Sequence, residues 1–181
     1  ISNTVQNKFG KFAAMQIVSN GELFGGKICA ALDRQHPRDL FDVFLLLENE
    51  GFSEEIKAGF ISSLLSHGRP INEIINPTFK DQKSAFDNQF AGMTEFNFSY
   101  NDYLNTRERL ISIISENLTE KDKIFLVSFK EGTPDWSLAP VLEIKDLPAV
   151  HWKLLNIQKL IKENPEKHKI QLNKLKNICQ V

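Results

Sequence analysis

Apolar residues recur at helical spacing along most of this chain, and the sharpest case lies between Gly25 and Leu47. Phe24, Ile28, Ala31 and Leu32 mark one helical face, and Leu40, Phe41, Phe44, Leu45 and Leu47 mark another. Between them runs Asp33-Arg34-Gln35-His36-Pro37-Arg38-Asp39. Pro37 has no amide hydrogen, so it ends the first helix and suits the first turn of a second. The pattern predicts a sharp helix-helix corner flanked by Lys27, Arg34, Arg38, Asp39 and Asp42.

The same reading carries along the rest of the chain. Residues 9–18 are apolar and partly alternating, which predicts one strand entering the domain. Ser19 to Glu22 has the Ser-x-x-Glu form of a capping box at the start of the first helix. Gly25 and Gly26 each cost about 1 kcal/mol relative to alanine in a helix. A close approach by another backbone or a ligand accounts for that cost, and so does a loose first turn. Ser53 caps a helix with Ile56, Phe60, Ile61, Leu64 and Leu65 on its apolar face, ended by Gly68 and Pro70. Residues 71–98 are less regular, with a turn at Asn76-Pro77, a helix within Lys80 to Phe90, and a stop at Gly92.

Tyr100 to Leu118 reads as a further helix with Tyr103, Leu110, Ile111, Ile114 and Leu118 inward. Thr119 to Asp122 resembles a capping box with Asp for Glu, opening a helix through Phe129. The short apolar run Ile124 to Phe129 also fits a strand; the cap favours helix. Gly132 to Asp135 is a loop, and Trp136 reads as a core anchor ahead of a stacking platform. Asp146 and Pro148 precede a helix with Trp152, Leu155, Ile157, Leu160 and Ile161. Asn164-Pro165 breaks it and starts a last helix with Ile170, Leu172, Leu175 and Ile178. The fold class is mainly α, with α+β character at the N-terminal end.

Composition narrows the function classes. The 181 residues suffice for one domain, or one with a small annex, and a real core. A net charge of −1 makes no global electrostatic case for nucleic acid. Residues 151–181, however, hold seven Lys and two Glu, a local +5 that leaves −6 on the first 150. That basic stretch fits an acidic partner or a solvated helix face. Cys29 and Cys179 stand far apart in apolar settings, as buried thiols of a reducing compartment do. No signal peptide, 18-residue apolar run or lipidation motif appears, so the expectation is a cytoplasmic protein with no membrane association. His36, His67, His151 and His168 lack ligand spacing, which argues against zinc. Gly25-Gly26-Lys27 lacks the Walker spacing of a phosphate loop.

Asp39 and Asp42 lie three apart, so their carboxylates share a helix face, and Arg38 can pair with Asp42 one turn on. Such a string suits a surface ion cluster. It also suits a cleft, because Lys27 on the preceding antiparallel helix points toward the same crevice. A lysine beside a carboxylate serves phosphate binding and the positioning of a nucleophile.

The residues Glu22 to Arg34, followed by His36-Pro37-Arg38-Asp39-Leu40-Phe41-Asp42-Val43, resemble the AbiEii/AbiGii nucleotidyltransferase toxin family. Arg69 to Glu73, Phe90 to Thr94, Phe129 to Trp136, Leu147 to Leu154 and Asn164 to His168 agree in order, so the resemblance covers nearly the whole chain. It implies a polymerase-beta-like nucleotidyltransferase with a helical C-terminal portion, acting as the toxin of a toxin-antitoxin or abortive-infection system. Such a toxin takes NTP and Mg2+, and some members add nucleotides to the acceptor end of tRNA. Its expected partners are a cognate antitoxin and an RNA acceptor.

By motif position, the resemblance makes Lys27 a triphosphate contact and Asp42 the essential acid. Asp39 joins Asp42 as a catalytic carboxylate, Arg38 shapes the nucleotide site, and Arg34 is a lesser nucleotide contact. The Gly-rich turn and paired acids that hold magnesium in the family should precede this corner, and they do not occur here. The expectation is therefore a C-terminal portion lacking the metal-binding sheet, with no metal ligand in this chain. It should be inactive alone and bind neither NTP nor Mg2+ tightly. Residues 1–75 would be the remnant of the nucleotidyltransferase core and 76–181 a C-terminal helical domain. The alternative is a non-catalytic helical module that docks an antitoxin or RNA, in which residues 151–181 make the contact.

Overall fold

In the computed structural model, residues 17–181 are described, together with residues 7, 8 and 10. The strand expected over 9–18 falls almost wholly outside them, and Ile17 and Val18 are irregular. Ser19 opens the first helix, α1 (Asn20–Arg34), by accepting the Glu22 amide at 3.1 Å. The helix ends at Gln35, which sits in the left-handed region at φ 54°. His36 then caps α2 (Pro37–Asn49), its Nδ1 accepting the Arg38 amide at 3.3 Å, with Pro37 in the first turn. The corner forms as the proline and the polar break dictate.

Ser53 caps α3 (Glu54–Ser66), and its five apolar positions are all buried. α3 crosses α1 at glycine positions, where Gly21 and Gly25 face Gly59. A Cβ on Gly25 would come closer than 3.0 Å to the backbone of Gly59 and Phe60, whereas one on Gly26 would meet only Ser63 Oγ at 3.8 Å. Gly25 is therefore kept bare by a neighbouring backbone.

A short helix α4 (Ile71–Ile75) occupies the stretch that carries no clear periodicity. α5 (Lys83–Gln89) is shorter than the Lys80–Phe90 span expected. The Lys80 amide instead donates to the Gln35 side chain at 2.9 Å, which holds the preceding strand of backbone to the corner. α6 (Tyr100–Asn117) starts at a full capping box of Ser99 and Asp102. α7 (Glu120–Lys130) starts at the Thr119–Asp122 box, both halves formed, and the run Ile124 to Phe129 is helix. Two 3-10 turns, Trp136–Leu138 and Leu142–Asp146, lead to α8 (Pro148–Glu163) and α9 (Pro165–Cys179). Trp136 packs on Phe125 and Phe129, with ring centroids 5.9 and 6.2 Å away.

The core is one continuous cluster running from Ile28 and Leu40 through Phe60, Tyr103 and Phe129 to Leu175. The last two helices turn most of the expected apolar face inward, with Ile157, Ile161, Leu172, Leu175 and Ile178 on the core, but not all of it. Val150, Lys153 and Ile157 face inward on α8, leaving Trp152 67% exposed and Leu155 outside too. On α9, His168, Leu175 and Cys179 are buried and Ile170 is exposed. Cys29 and Cys179 are free buried thiols, both pushed up to about 11 by burial. The protein is mainly helical, with no strand among the described residues. None of its described helices is long and apolar enough to cross a membrane.

Asp122 does two jobs at the α7 start. It accepts the Thr119 amide at 2.9 Å and faces the buried Lys57 ammonium at 3.4 Å. Asp122→Ala removes a cap and one of two acidic partners of a buried lysine, the other being the exposed Glu54. A loss of about 2–3 kcal/mol is expected, read as a lowered urea midpoint at unchanged slope.

Candidate functional site

The corner between α1 and α2 brings five of the chemically capable side chains to one edge of the molecule. Lys27 Nζ meets Asp42 Oδ2 at 2.5 Å across the two helices, with side chains 40% and 45% exposed. One step along, Arg34 Nη2 meets Asp39 Oδ1 at 2.8 Å. Both carboxylates thus pair with cations from α1.

Arg38 does not pair with Asp42 as the four-residue spacing suggests. Its Nη2 and Nε donate to the Gln89 carbonyl at 3.0 and 3.3 Å. Gln89 ends α5, where carbonyls lack intrahelical partners and the helix dipole is negative, so a guanidinium is favoured there. His36 Nε2 lies 3.2 Å from Gln89 Oε1 and ties the same two elements. Arg34, His36, Arg38 and Asp39 line an open depression of about 420 Å3 at the outer end of the corner. Lys27 and Asp42 lie beside it, outside its lining.

Two features give this edge chemical capacity. The Lys27–Asp42 pair is half in water, where such pairs are worth about 0–1 kcal/mol, so a phosphate can replace Asp42 as the partner of Lys27. Asp39 Oδ2, by contrast, is shielded from solvent and has no hydrogen-bond partner. It sits in the first turn of α2, where the helix dipole favours its charge.

Among the described residues no side-chain set fits magnesium. Magnesium takes about six oxygens in octahedral array. Among the described residues no three His, Cys, Asp or Glu side chains gather as a metal site. Asp39 and Asp42 each commit an oxygen to a cation.

The residues that hold the corner in shape gave little sign of it in the chain. Gln35 is 1% exposed. Its Nε2 donates to the Thr78 carbonyl at 2.9 Å, its Oε1 accepts the Lys80 amide, and its own carbonyl accepts Tyr103 Oη at 2.8 Å. Those bonds offset the roughly 1–2 kcal/mol that a left-handed conformation costs a residue with a Cβ. Arg107 completes the brace, donating to the Lys80 carbonyl at 3.0 Å and lying 3.9 Å over the Phe79 ring. Glycine or asparagine at position 35 would have announced the turn; glutamine does not.

No curated protein and no solved structure matches the chain. A family model described as nucleotidyl transferase AbiEii toxin, type IV toxin-antitoxin system, matches residues 1–154. The match contains α1 to α7 and the whole corner, and runs into α8. The chain belongs to the AbiEii nucleotidyl transferase toxin family of type IV toxin-antitoxin systems.

Proposed function

We propose that this chain forms the helical part of a cytoplasmic toxin that moves a nucleotide from an NTP to an RNA acceptor, the 3' end of tRNA being the candidate. The observation that carries the reading is the convergence of Lys27 and Asp42 across the corner. In it, Lys27 releases Asp42 to receive the triphosphate, and Arg34 and Arg38 add positive charge at the neighbouring depression. Asp42 and Asp39 provide the carboxylates: Asp42, once freed, accepts the proton of the attacking hydroxyl as its oxygen bonds the α-phosphorus and the bond to the β-phosphate breaks, pyrophosphate leaving with the electron pair. Magnesium would supply charge neutralisation between phosphates, and the described residues offer no set to hold it. A cognate antitoxin is the partner that restrains the toxin.

The test is growth arrest on expression of the intact coding region that contains this chain. Lys27→Ala and Asp42→Asn should each abolish the arrest, while thermal unfolding stays within a few degrees of the parent because the pair is half exposed. Full arrest by both variants would overturn the site assignment.

A further inference from the structure

A second cavity, of about 200 Å3, lies between the α3–α4 turn, the end of α7 and the facing sides of α8 and α9. No residue of the corner lines it. Its wall carries His67, Arg69, Lys130, Lys153 and Lys167, and Trp152 stands at its edge. Two of these lysines are out of water, Lys130 at 3% exposure and Lys153 at 8%.

The two differ in how their protons are used. Lys153 Nζ donates to the carbonyls of Leu64, His67 and Arg69 at 2.8, 2.8 and 2.9 Å, which occupies all three. Lys130 Nζ reaches one acceptor, Gln171 Oε1 at 2.6 Å. No carboxylate lies within ion-pair distance of it among the described residues. Burial pulls Lys130 down to about 8, against the more distant pull of Glu73. Burial also lowers Lys153 to about 8, with Cys29 opposing and Lys130 adding to the shift. Arg69 is held by Asp33 at 2.8 Å, and burial keeps the His67 imidazole below its ordinary value despite that same Asp33.

A buried ammonium with protons to spare, lining a small cavity that also has the exposed Lys167 on its rim, is built for an anion. The volume admits a phosphate group, and the exposed indole beside it offers a stacking face. We infer that this cavity binds the phosphate of a nucleotide, Lys130 and Lys167 holding the oxygens and Trp152 stacking on the base. The nucleotide is either a free mononucleotide or the terminal residue of an RNA. The site stands whether or not the corner performs transfer.

Calorimetry on the 181-residue chain tests this with inorganic phosphate, AMP and a 5'-phosphorylated oligoribonucleotide. AMP should bind about tenfold more tightly than phosphate, since stacking on an aromatic ring strengthens base binding. Lys130→Gln should weaken both by about tenfold or more. Trp152→Ala should erase the advantage of AMP and spare phosphate. Lys159→Gln, exposed on α8 and outside both the cavity lining and the corner, should change neither. Tighter binding of the oligonucleotide than of AMP assigns the RNA end; equal or weaker binding assigns the free nucleotide.

Raising the pH from 7.5 to 9.5 should weaken phosphate binding, because Lys130 loses its proton near 8 while phosphate only gains negative charge over that range. The groups facing it are Glu73 from α4, Lys153 from α8, and Lys167, His168 and Gln171 from α9. Absence of phosphate and AMP binding at pH 7.5, or unchanged affinity in Lys130→Gln, would overturn the proposal. Equal affinity for phosphate and AMP would overturn the nucleotide assignment. Should Lys130→Gln misfold, Lys167→Gln on the exposed rim serves instead: a several-fold loss supports the site and no change overturns it.

Discussion

Gly25→Val is expected to cost about 3 kcal/mol or more of folding stability, enough to leave much of the chain unfolded at 37 °C. The reason is the crossing of α1 and α3. A Cβ at residue 25 falls closer than 3.0 Å to the backbone of Gly59 and Phe60, and backbone cannot swing aside as a side chain can. The helices would have to separate, and the buried residues at their interface, Ile28, Leu32, Phe60 and Leu64, would lose close packing together. One residue on, the sign reverses. Gly26→Ala meets only Ser63 Oγ at 3.8 Å and gains about 1 kcal/mol of helix propensity. Urea unfolding of the two variants reads both results. An unchanged midpoint in Gly25→Val would show that the crossing is looser than its glycines imply.

That contrast shows where the chain can be read and where it cannot. Adjacent glycines look alike in one dimension, yet one is fixed by a helix whose contact lies more than thirty positions away. Signals confined to a few residues were legible. Ser19, Ser53 and Thr119 cap the helices they precede, and Pro37 begins α2. The approach of Lys27 to the crevice that holds Asp42 was also legible, because only a two-residue break separates two helices of clear periodicity, although the spacing gave Asp42 to Arg38 and not to Lys27. What was not legible depends on remote partners. Arg38 is claimed by the end of α5, although its own helix offers Asp42 one turn away. Gln35 adopts a glycine-like conformation because Thr78, Lys80 and Tyr103 meet its polar atoms. The short helix α4 has too few residues to show a period, and most of the expected N-terminal strand lies outside the described residues.

Lys153→Met is expected to destabilise the fold by about 3 kcal/mol, although the basic stretch that holds this lysine reads as a solvated face. Lys153 is the donor for the end of α3: the carbonyls of Leu64, His67 and Arg69 converge on its ammonium within 2.9 Å. A helix leaves its last carbonyls without intrahelical partners, and here a side chain from α8 takes their place. Methionine keeps most of the apolar stem and removes the donor, so the loss reports the head group rather than packing. Each acceptor stranded in a buried site costs about 1–3 kcal/mol. Water entering from the adjoining cavity recovers part, which sets the total nearer 3 than the sum of three full penalties. Lys159→Met, on the exposed side of the same helix, should move stability by less than about 0.5 kcal/mol. Equal effects from the two substitutions would mean that α3 ends without help from α8. A loss confined to Lys153→Met would show that one lysine of the basic stretch is spent on joining the last two helices to the corner-bearing core, and is thereby withdrawn from any partner.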